Sequence, residues 1–104
     1  MLTYIQKEYT LCCMRFEWDE RKSRENMRKH GFDFHDAEKV FQGPFQILPD
    51  RKRAYNEDRF AVLGFIEDIL VRLSYTMRDE IVRVISLRKA TVAERRLYEE
   101  ESLF

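Results

Sequence analysis

The sequence is poor in cysteine, glycine and proline, with two, three and two of them in 104 residues. The cysteines, Cys12 and Cys13, are adjacent, so they provide neither a disulfide framework nor the spaced pairs of a structural zinc site. Two free thiols are typical of a protein in a reducing compartment, and we expect a cytoplasmic location. The scarcity of turn residues leaves one clear break in the chain, at Gly43, Pro44 and Pro49.

Long apolar runs and several common catalytic motifs are absent as well. A membrane-spanning helix needs about 18 or more consecutive apolar residues, and the sequence has no such run. The N-terminal stretch MLTYIQKEYTLCC lacks the basic cluster and the clean apolar block of a secretory signal. No P-loop, dinucleotide-binding glycine pattern or HExxH motif is present, which argues against the enzyme classes that depend on them.

The chain has no net charge, because 19 basic residues balance 19 acidic ones. A generic nucleic-acid binder is usually basic overall, so the balance argues against that class. The distribution is uneven, however. Residues 69–96 carry seven basic and three acidic residues, a net charge of +4. This segment predicts a local anion-binding site in a protein that is neutral as a whole.

The pattern before Gly43 predicts two helices. Asp19 is suited to cap the first helix and Gly31 to end it. Asp33 is placed to cap a second helix, whose apolar positions recur at helical spacing. Those positions are Phe34, Ala37, Val40 and Phe41.

The pattern after Gly43 predicts strands and then one more helix. Apolar runs or alternation mark strands over residues 44–48, 59–66, 69–77 and 80–87. Thr91 and Glu94 form a T-x-x-E capping box, which opens a helix through about Glu101. The predicted fold is therefore a single α+β domain, with two N-terminal helices, an antiparallel sheet of about four strands and a C-terminal helix.

The last two predicted strands form a hairpin whose register decides where the arginines point. A two-residue turn at Arg78 and Asp79 would put Tyr75 opposite Val82 on the core side. The other side of the hairpin would then be a partly open face. On this face the register predicts Arg72, Ser74, Thr76 and Arg83.

Two clusters of this region have the composition of a site for phosphate chemistry. Arginines beside hydroxyl groups bind phosphate well, although a solvated, salt-bridged sheet face would have the same composition. The other cluster is Glu57, Asp58 and Arg59, where a carboxylate can act as general base beside a cation. Ordinary turn chemistry would also explain those three residues.

The two histidines have structural explanations. His30 lies in the last turn of the first helix, where its imidazolium complements the helix dipole. His35 begins the second helix and is expected to face solvent. Neither belongs to a metal-spaced cluster, so no metal site is predicted.

From Met14 onward the chain resembles the BrnT family of bacterial type II toxins. The diagnostic pieces are Trp18-Asp19, Lys29-His30-Gly31, Glu57-x-Arg59 and Arg83-x-Ile85-Ser86-x-Arg88, in the order of the family. Each piece alone is weak, whereas the ordered set is specific. The matching stretches are FEWDERKSRENMRKHGFDFHDAEKVF (16–41), YNEDRFAVLG (55–64), VRLSYTMRDEIVRVISLRKAT (71–91) and ERRLYEE (94–100).

The resemblance implies a RelE-like fold and RNA cleavage that halts translation. It implies chemistry without metal or other cofactor, in which the ribose 2′-OH attacks the adjacent phosphate. The residues expected to be catalytic are Glu57, Arg59, Arg83 and Arg88. The residues expected to bind substrate are Lys29, His30, Arg72, Ser74, Arg78 and Lys89.

The resemblance also implies a partner, a BrnA-like ribbon-helix-helix antitoxin. Operator DNA would be contacted only through the complex with that antitoxin, and no membrane is involved. The alternative function is a non-catalytic module that binds the antitoxin and helps repress its own operon. Residues 1–13 precede the matching region, and they are either an upstream start-codon choice or an extra strand, while residues 14–104 form the toxin-like domain.

Overall fold

The computed structural model describes residues 4–8, 15–48 and 59–102 as a sheet with three α-helices. No helix of this described part is long and apolar enough to cross a membrane. The helices are α1 (Glu20–His30), α2 (Ala37–Gln42), which a 3₁₀ turn at Phe34–Asp36 precedes, and α3 (Val92–Ser102). The strands are β1 (Tyr4–Glu8), β2 (Arg15–Asp19), β3 (Gln46–Leu48), β4 (Arg59–Ile66), β5 (Ile69–Arg78) and β6 (Ile81–Lys89).

The sheet contains six strands in the order β1-β2-β6-β5-β4-β3. The α+β class and the C-terminal helix are confirmed, but the predicted antiparallel sheet of about four strands is wrong in two respects. β2 was not predicted, and β1 was predicted only as one of two alternatives for residues 1–13. In addition, the β2–β6 pair is parallel. β2 escaped notice because it is short and runs directly into α1, so its alternation is overshadowed by the helical signal of the following residues.

Helix α1 has the two ends that its sequence predicts. Asp19 Oδ1 accepts a hydrogen bond from the Arg21 N–H at 2.9 Å, which caps the first turn. Gly31 adopts the left-handed conformation (φ 81°), and its N–H donates to Met27 O at 2.9 Å. The strand β2 and the helix α1 therefore meet at Asp19, which belongs to both.

The second predicted helix is divided into a 3₁₀ turn and the short α2. Asp33 makes no capping hydrogen bond through its side chain. The predicted apolar stripe is nevertheless buried at Phe34, Ala37 and Val40. α2 lies close to β4 because residue 64 is glycine: a Cβ there would lie 2.7 Å from Val40 Cγ1.

The two faces of the sheet are covered differently. The first helices cover one face, where the main core includes Phe16, Trp18, Leu73 and Val84. On the opposite face, which we call the open face, α3 covers only one part. There Tyr98 packs edge-on against Phe65, with ring centroids 5.6 Å apart. A row of polar side chains lies on the part of the open face that α3 leaves uncovered.

The β5–β6 hairpin differs from its predicted register. The turn consists of Asp79 and Glu80, both at positive φ (52° and 67°), instead of Arg78 and Asp79. Tyr75 therefore lies opposite Val84 instead of Val82, and Thr76 lies opposite Arg83. The register was missed because neither turn residue is the glycine or asparagine that usually marks positive φ. Near the turn, the partner of each β6 residue on β5 differs from the predicted partner by two residues. Because side chains alternate between faces with a period of two, Arg83 stays on the open face, as predicted.

Two predictions concern residues that the structure describes only in part, namely residues 1–13 and the cluster of Glu57, Asp58 and Arg59. Within residues 1–13, Tyr4–Glu8 form the strand β1, antiparallel to β2. The upstream start codon stays a prediction. Glu57 and Asp58 lie outside the described residues.

Candidate functional site

A row of polar residues crosses four neighbouring strands on the open face. The sheet register pairs Arg59 with Thr76, Thr76 with Arg83, and Arg83 with Glu17. Paired residues of adjacent strands project to the same face of a sheet. Thr76 is buried, and the other three are half-buried. The register therefore assembles residues that are far apart in the sequence into one continuous line.

A cavity of about 190 Å³ lies beside this row. Its cationic lining residues are Lys22, Arg59 and Arg83, and its anionic lining residue is Asp19. Three basic groups and one carboxylate line the cavity, and Glu17 of the adjoining row lies opposite Arg83. Basic groups still outnumber acidic ones here, which favours an anion as ligand. The described ranges contain no group of three His, Cys, Asp or Glu side chains arranged to hold a metal ion.

Asp19 has one satisfied and one unsatisfied carboxylate oxygen. Oδ1 caps α1, whereas the buried Oδ2 has no hydrogen-bond partner. The residue is 5% exposed, so bulk water does not compensate fully for the missing partner. A buried polar atom without a partner costs free energy and calls for an explanation, such as a catalytic role or a bound water or ion.

A second cavity of about 280 Å³ continues the first one along α1. Lys22 and Ile85 line both cavities, so together they form one groove between α1 and β6. The remaining lining residues of the second cavity are Glu25, Asn26, Lys29, His30, Phe34 and Ser86. We call the two cavities together the α1–β6 groove.

Asn26 fixes the position of α1 beside β6. Its Nδ2 donates to Leu87 O at 2.6 Å, and its Oδ1 accepts from the Leu87 N–H at 3.2 Å. The side-chain amide thus replaces a neighbouring strand at the point where β2 has given way to α1. Nδ2 also donates to Phe32 O at 2.7 Å, which ties the chain after the helix to the same point. The walls of the groove are therefore set by buried hydrogen bonds.

A β-bulge gives the groove its local shape. The pairing changes register between Ser74 and Tyr75, so that Ser74 lies opposite Ser86 while Tyr75 lies opposite Val84. Ile85 is the extra residue on β6, and its side chain lines both cavities. Bulges redirect side chains in this way and are frequent beside active sites.

A second group of charged residues holds α3 against the open face. Arg88 donates to both oxygens of Glu94, at 2.9 and 3.0 Å, and Arg72 Nη1 donates to Glu94 Oε2 at 2.7 Å. We call these three residues the Glu94 cluster. Thr91 completes the predicted capping box, with its N–H 2.8 Å from Glu94 Oε1 and its Oγ1 accepting from the Glu94 N–H at 3.1 Å.

The pKa of Glu94 reflects this environment. Burial alone would raise the pKa, but the hydrogen bonds from Arg88, the Thr91 N–H and Arg72 outweigh burial and hold the pKa at about 2. Glu94 is thus a carboxylate at all ordinary pH values. Its negative charge lies between the two arginines, which are opposite each other on β5 and β6, and it reduces their mutual repulsion.

The Glu94 cluster and the polar row are separate. The Arg72–Arg88 pair and the Thr76–Arg83 pair lie four residues apart along β5. That interval corresponds to about 13 Å at about 3.3 Å per residue. The structure therefore places Arg59 and Arg83 together at the first cavity and Arg72 and Arg88 together under α3.

The other residues predicted from the sequence lie at the groove or on the open face, except Lys89, which is paired with the core residue Val71 and so belongs to the helix-covered face. Lys29 and His30 line the second cavity, and half-buried Ser74 lies opposite Ser86. Arg78 and Lys89 are exposed at opposite ends of the β5–β6 hairpin. His35 is half-exposed as expected, but its ring packs edge-on against Trp18, with centroids 4.9 Å apart.

Two lining residues of the first cavity were missed as site residues by the sequence reasoning. Asp19 was interpreted as a helix cap and as part of the Trp18-Asp19 piece of the family resemblance, but not as a site residue. Lys22 lies among many charged residues of α1. Their spacing could have indicated that they belong together. Residues three positions apart are neighbours on the surface of a helix, so the capping carboxylate of Asp19 and the basic Lys22 would be expected close to each other.

The fold and groove define a class of protein: a small α+β protein with a cationic groove suited to a polyanion. A family model described as "Ribonuclease toxin, BrnT, of type II toxin-antitoxin system" matches residues 18–94. The chain belongs to this BrnT family, as the resemblance predicted, and an antitoxin partner follows from its type II system. The matched region contains every residue that lines the groove. A search of curated proteins gives no match.

Proposed function

We propose that the protein is a metal-independent endoribonuclease of the RelE-like kind, whose cleavage of RNA inhibits translation and growth. The observation that carries the proposal is the first cavity, where Arg59, Arg83 and Lys22 meet a buried carboxylate. Three cations around one cavity would stabilise a phosphate and the additional negative charge of a phosphorane.

The reaction that suits this lining uses the nucleophile of the RNA itself. The ribose 2′-OH attacks the neighbouring phosphorus, and the 5′-oxygen of the next nucleotide leaves. Arg59 and Arg83 come from different strands of one rigid sheet, so they would meet the phosphate from fixed positions. Preorganised donors of this kind lower the barrier without reorganising during the reaction.

The second cavity provides a path for the adjoining nucleotides. Lys22 and Lys29 are seven residues apart on α1, a distance of about 10 Å along the helix axis at 1.5 Å per residue. Basic groups at this interval can follow the backbone of a single RNA strand, and His30 lies next to the second of them. We propose that Lys29 and His30 bind the RNA in this cavity.

The Glu94 cluster has a different role in this proposal. Because Arg88 is engaged by both oxygens of Glu94, we propose that Arg72 and Arg88 primarily hold α3 and do not contact the scissile phosphate. Glu57 remains a proposed catalytic carboxylate on sequence grounds. Ser74, Arg78 and Lys89 remain proposed RNA contacts at the periphery of the groove.

The partner in this proposal is a BrnA-like ribbon-helix-helix antitoxin. Such an antitoxin would neutralise the ribonuclease and carry the complex to its operator DNA. The support for this part is membership in a type II toxin–antitoxin family.

Controlled expression in bacteria tests the proposal. We expect growth arrest and loss of full-length messenger RNA on induction of the toxin alone, and growth when the antitoxin gene from the same operon is co-expressed. Purified toxin should cleave total bacterial RNA, with or without translating ribosomes in the reaction. Normal growth and intact RNA from a folded, antitoxin-binding protein would contradict the proposal and favour the non-catalytic co-repressor.

A further inference from the structure

We propose that Asp19 is the general base of the reaction, which takes the proton from the ribose 2′-OH through its Oδ2 atom. The inference rests on the proposed ribonuclease function and adds a specific catalytic residue to it. The observation behind it is the second oxygen of a carboxylate whose first oxygen is already engaged. Oδ1 caps α1 at 2.9 Å from the Arg21 N–H, while Oδ2 is buried without a hydrogen-bond partner.

The environment of Asp19 gives this oxygen a place in the reaction. Asp19 lines the first cavity together with Arg59, Arg83 and Lys22, where the scissile phosphate would bind. Because Oδ1 is held by the helix, the orientation of the carboxylate is fixed before RNA arrives. A hydroxyl donor of the substrate would satisfy Oδ2, and the 2′-OH adjoins the phosphate in RNA.

Other titratable groups of the described groove fit the role less well. Glu25 and His30 line the second cavity and not the first. Lys22 lines both, and in the proposed step it serves as the acid. Asp19 is the acidic residue that the described part of the chain contributes to the first cavity.

The proton balance of the step is complete. The 2′-oxygen forms a bond to phosphorus while its proton moves to Asp19 Oδ2. The bond between phosphorus and the 5′-oxygen breaks, and that oxygen takes a proton from the Lys22 ammonium. The products are a 2′,3′-cyclic phosphate and a 5′-hydroxyl. A proton then returns from the Asp19 carboxyl to the Lys22 amine through water, since Lys22 is exposed.

The test compares Asp19→Asn with wild type, in purified protein acting on total bacterial RNA. Asparagine caps helices as well as aspartate does and retains Oδ1, but it cannot accept a proton at the Oδ2 position. The matched control is Asp33→Asn. Asp33 Oδ1 is likewise buried without a hydrogen-bond partner, but Asp33 lines neither cavity.

We expect Asp19→Asn to lower the cleavage rate at saturating RNA by about 10²–10⁴-fold, the usual contribution of a general base. The Tm of this variant should stay close to that of wild type. Its Kd for a non-cleavable RNA analogue, in which hydrogen replaces every 2′-OH, should also stay close to the wild-type Kd. Asp33→Asn should cleave RNA at the wild-type rate. Asp19→Glu should restore part of the rate lost in Asp19→Asn, because it returns a carboxylate to the cavity.

Three results would overturn the assignment. The first is wild-type cleavage by a folded Asp19→Asn protein. The second is an equal loss in Asp19→Asn and Asp33→Asn, which would indicate a general structural effect. The third is a loss of cleavage rate in Glu57→Gln but not in Asp19→Asn, which would indicate Glu57 as the base. If wild-type protein itself leaves RNA intact, the proposed function fails, and that outcome is distinct from all three.

Discussion

Two arginine pairs lie on the same face of the sheet and differ in what surrounds them. Arg72 and Arg88 face each other across β5 and β6, and Glu94 from α3 binds both. Arg59 and Arg83 lie on either side of Thr76, at a cavity that also contains Asp19 and Lys22. The first pair is held under a neighbouring helix, whereas the second lines a cavity that a ligand can enter.

This difference gives the two arginine pairs different roles: the first pair serves stability, and the second pair serves function. Hydrogen bonds to charged groups in a protein are strong when the geometry is fixed, and the Glu94 cluster has such geometry. It therefore anchors α3. The cavity around Arg83 has an excess of positive charge and an unsatisfied carboxylate oxygen, which are features of a binding site. Variants of the two pairs should accordingly fail in different ways.

Among variants of the two arginine pairs and their neighbours, the largest effect is expected on catalysis, in Arg83→Ala. Removal of one preorganised cation should lower RNA cleavage by about 10²–10³-fold and abolish growth arrest. The variant should remain folded and bind the antitoxin, because Arg83 belongs to the open face and not to either core cluster. Cleavage rates of purified proteins and growth curves after induction measure the effect.

Arg96→Ala is the matched control for this variant. Arg96 is exposed on α3, away from the lining of the groove. It should arrest growth like wild type. Growth arrest by Arg83→Ala at the same expression level would show that the active site lies elsewhere.

The opposite pattern is expected for Glu94→Gln. Glutamine keeps the capping box with Thr91 but removes the negative charge that binds both Arg72 and Arg88. The free energy of unfolding should fall by about 1–3 kcal/mol, as for hydrogen bonds to charged groups. Below the unfolding transition the variant should still cleave RNA. Chemical denaturation measures the loss, with exposed Glu100→Gln as control; equal stability of the two variants would refute an anchoring role.

Acid should weaken the same anchor. The folded pKa of Glu94 is about 2, below its ordinary value of 4.5. Its contribution to stability is therefore complete above pH 4.5 and is lost as the pH falls towards 2. The maximum difference is about 3 kcal/mol, at 1.36 kcal/mol per pKa unit. The stability gap between wild type and Glu94→Gln should narrow over this pH range, and a constant gap would contradict the assigned pKa.

The smallest effect is expected from deletion of residues 1–13. β1 pairs with the edge of β2, but the family match starts at residue 18, within β2. We expect a fully active protein with a similar Tm, starting at Met14. A large fall in Tm would show that β1 is an integral strand of the sheet.

Local signals in the sequence were sufficient for several elements of this fold. The caps of α1 at Asp19 and Gly31 were predictable because each depends on the residue's own conformational preference. The capping box of α3 was predictable for the same reason. The alternation of apolar and polar residues in β5 and β6 was also sufficient to place Arg83 of β6 on the open face, although the predicted turn was wrong.

Features that depend on tertiary contacts were not predictable. The parallel β2–β6 pair joins residues that are about 66 positions apart, and no local pattern specifies such a pair. The bulge at Ile85 and the side-chain bridge from Asn26 to Leu87 exist only once α1 lies beside β6. The same packing brings Asp19 and Lys22 to Arg83, so the site was only partly visible in the sequence.

The most direct test of the central claim is cleavage by purified protein of RNA and of DNA with the same sequence, with and without EDTA. Because the proposed nucleophile is the 2′-OH and the proposed cations are protein side chains, RNA should be cut at the same rate in EDTA. The products should carry a 5′-hydroxyl and a 2′,3′-cyclic or 3′-phosphate, and DNA should remain intact. Activity that disappears in EDTA and returns with Mg²⁺, or efficient cleavage of DNA, would contradict the account.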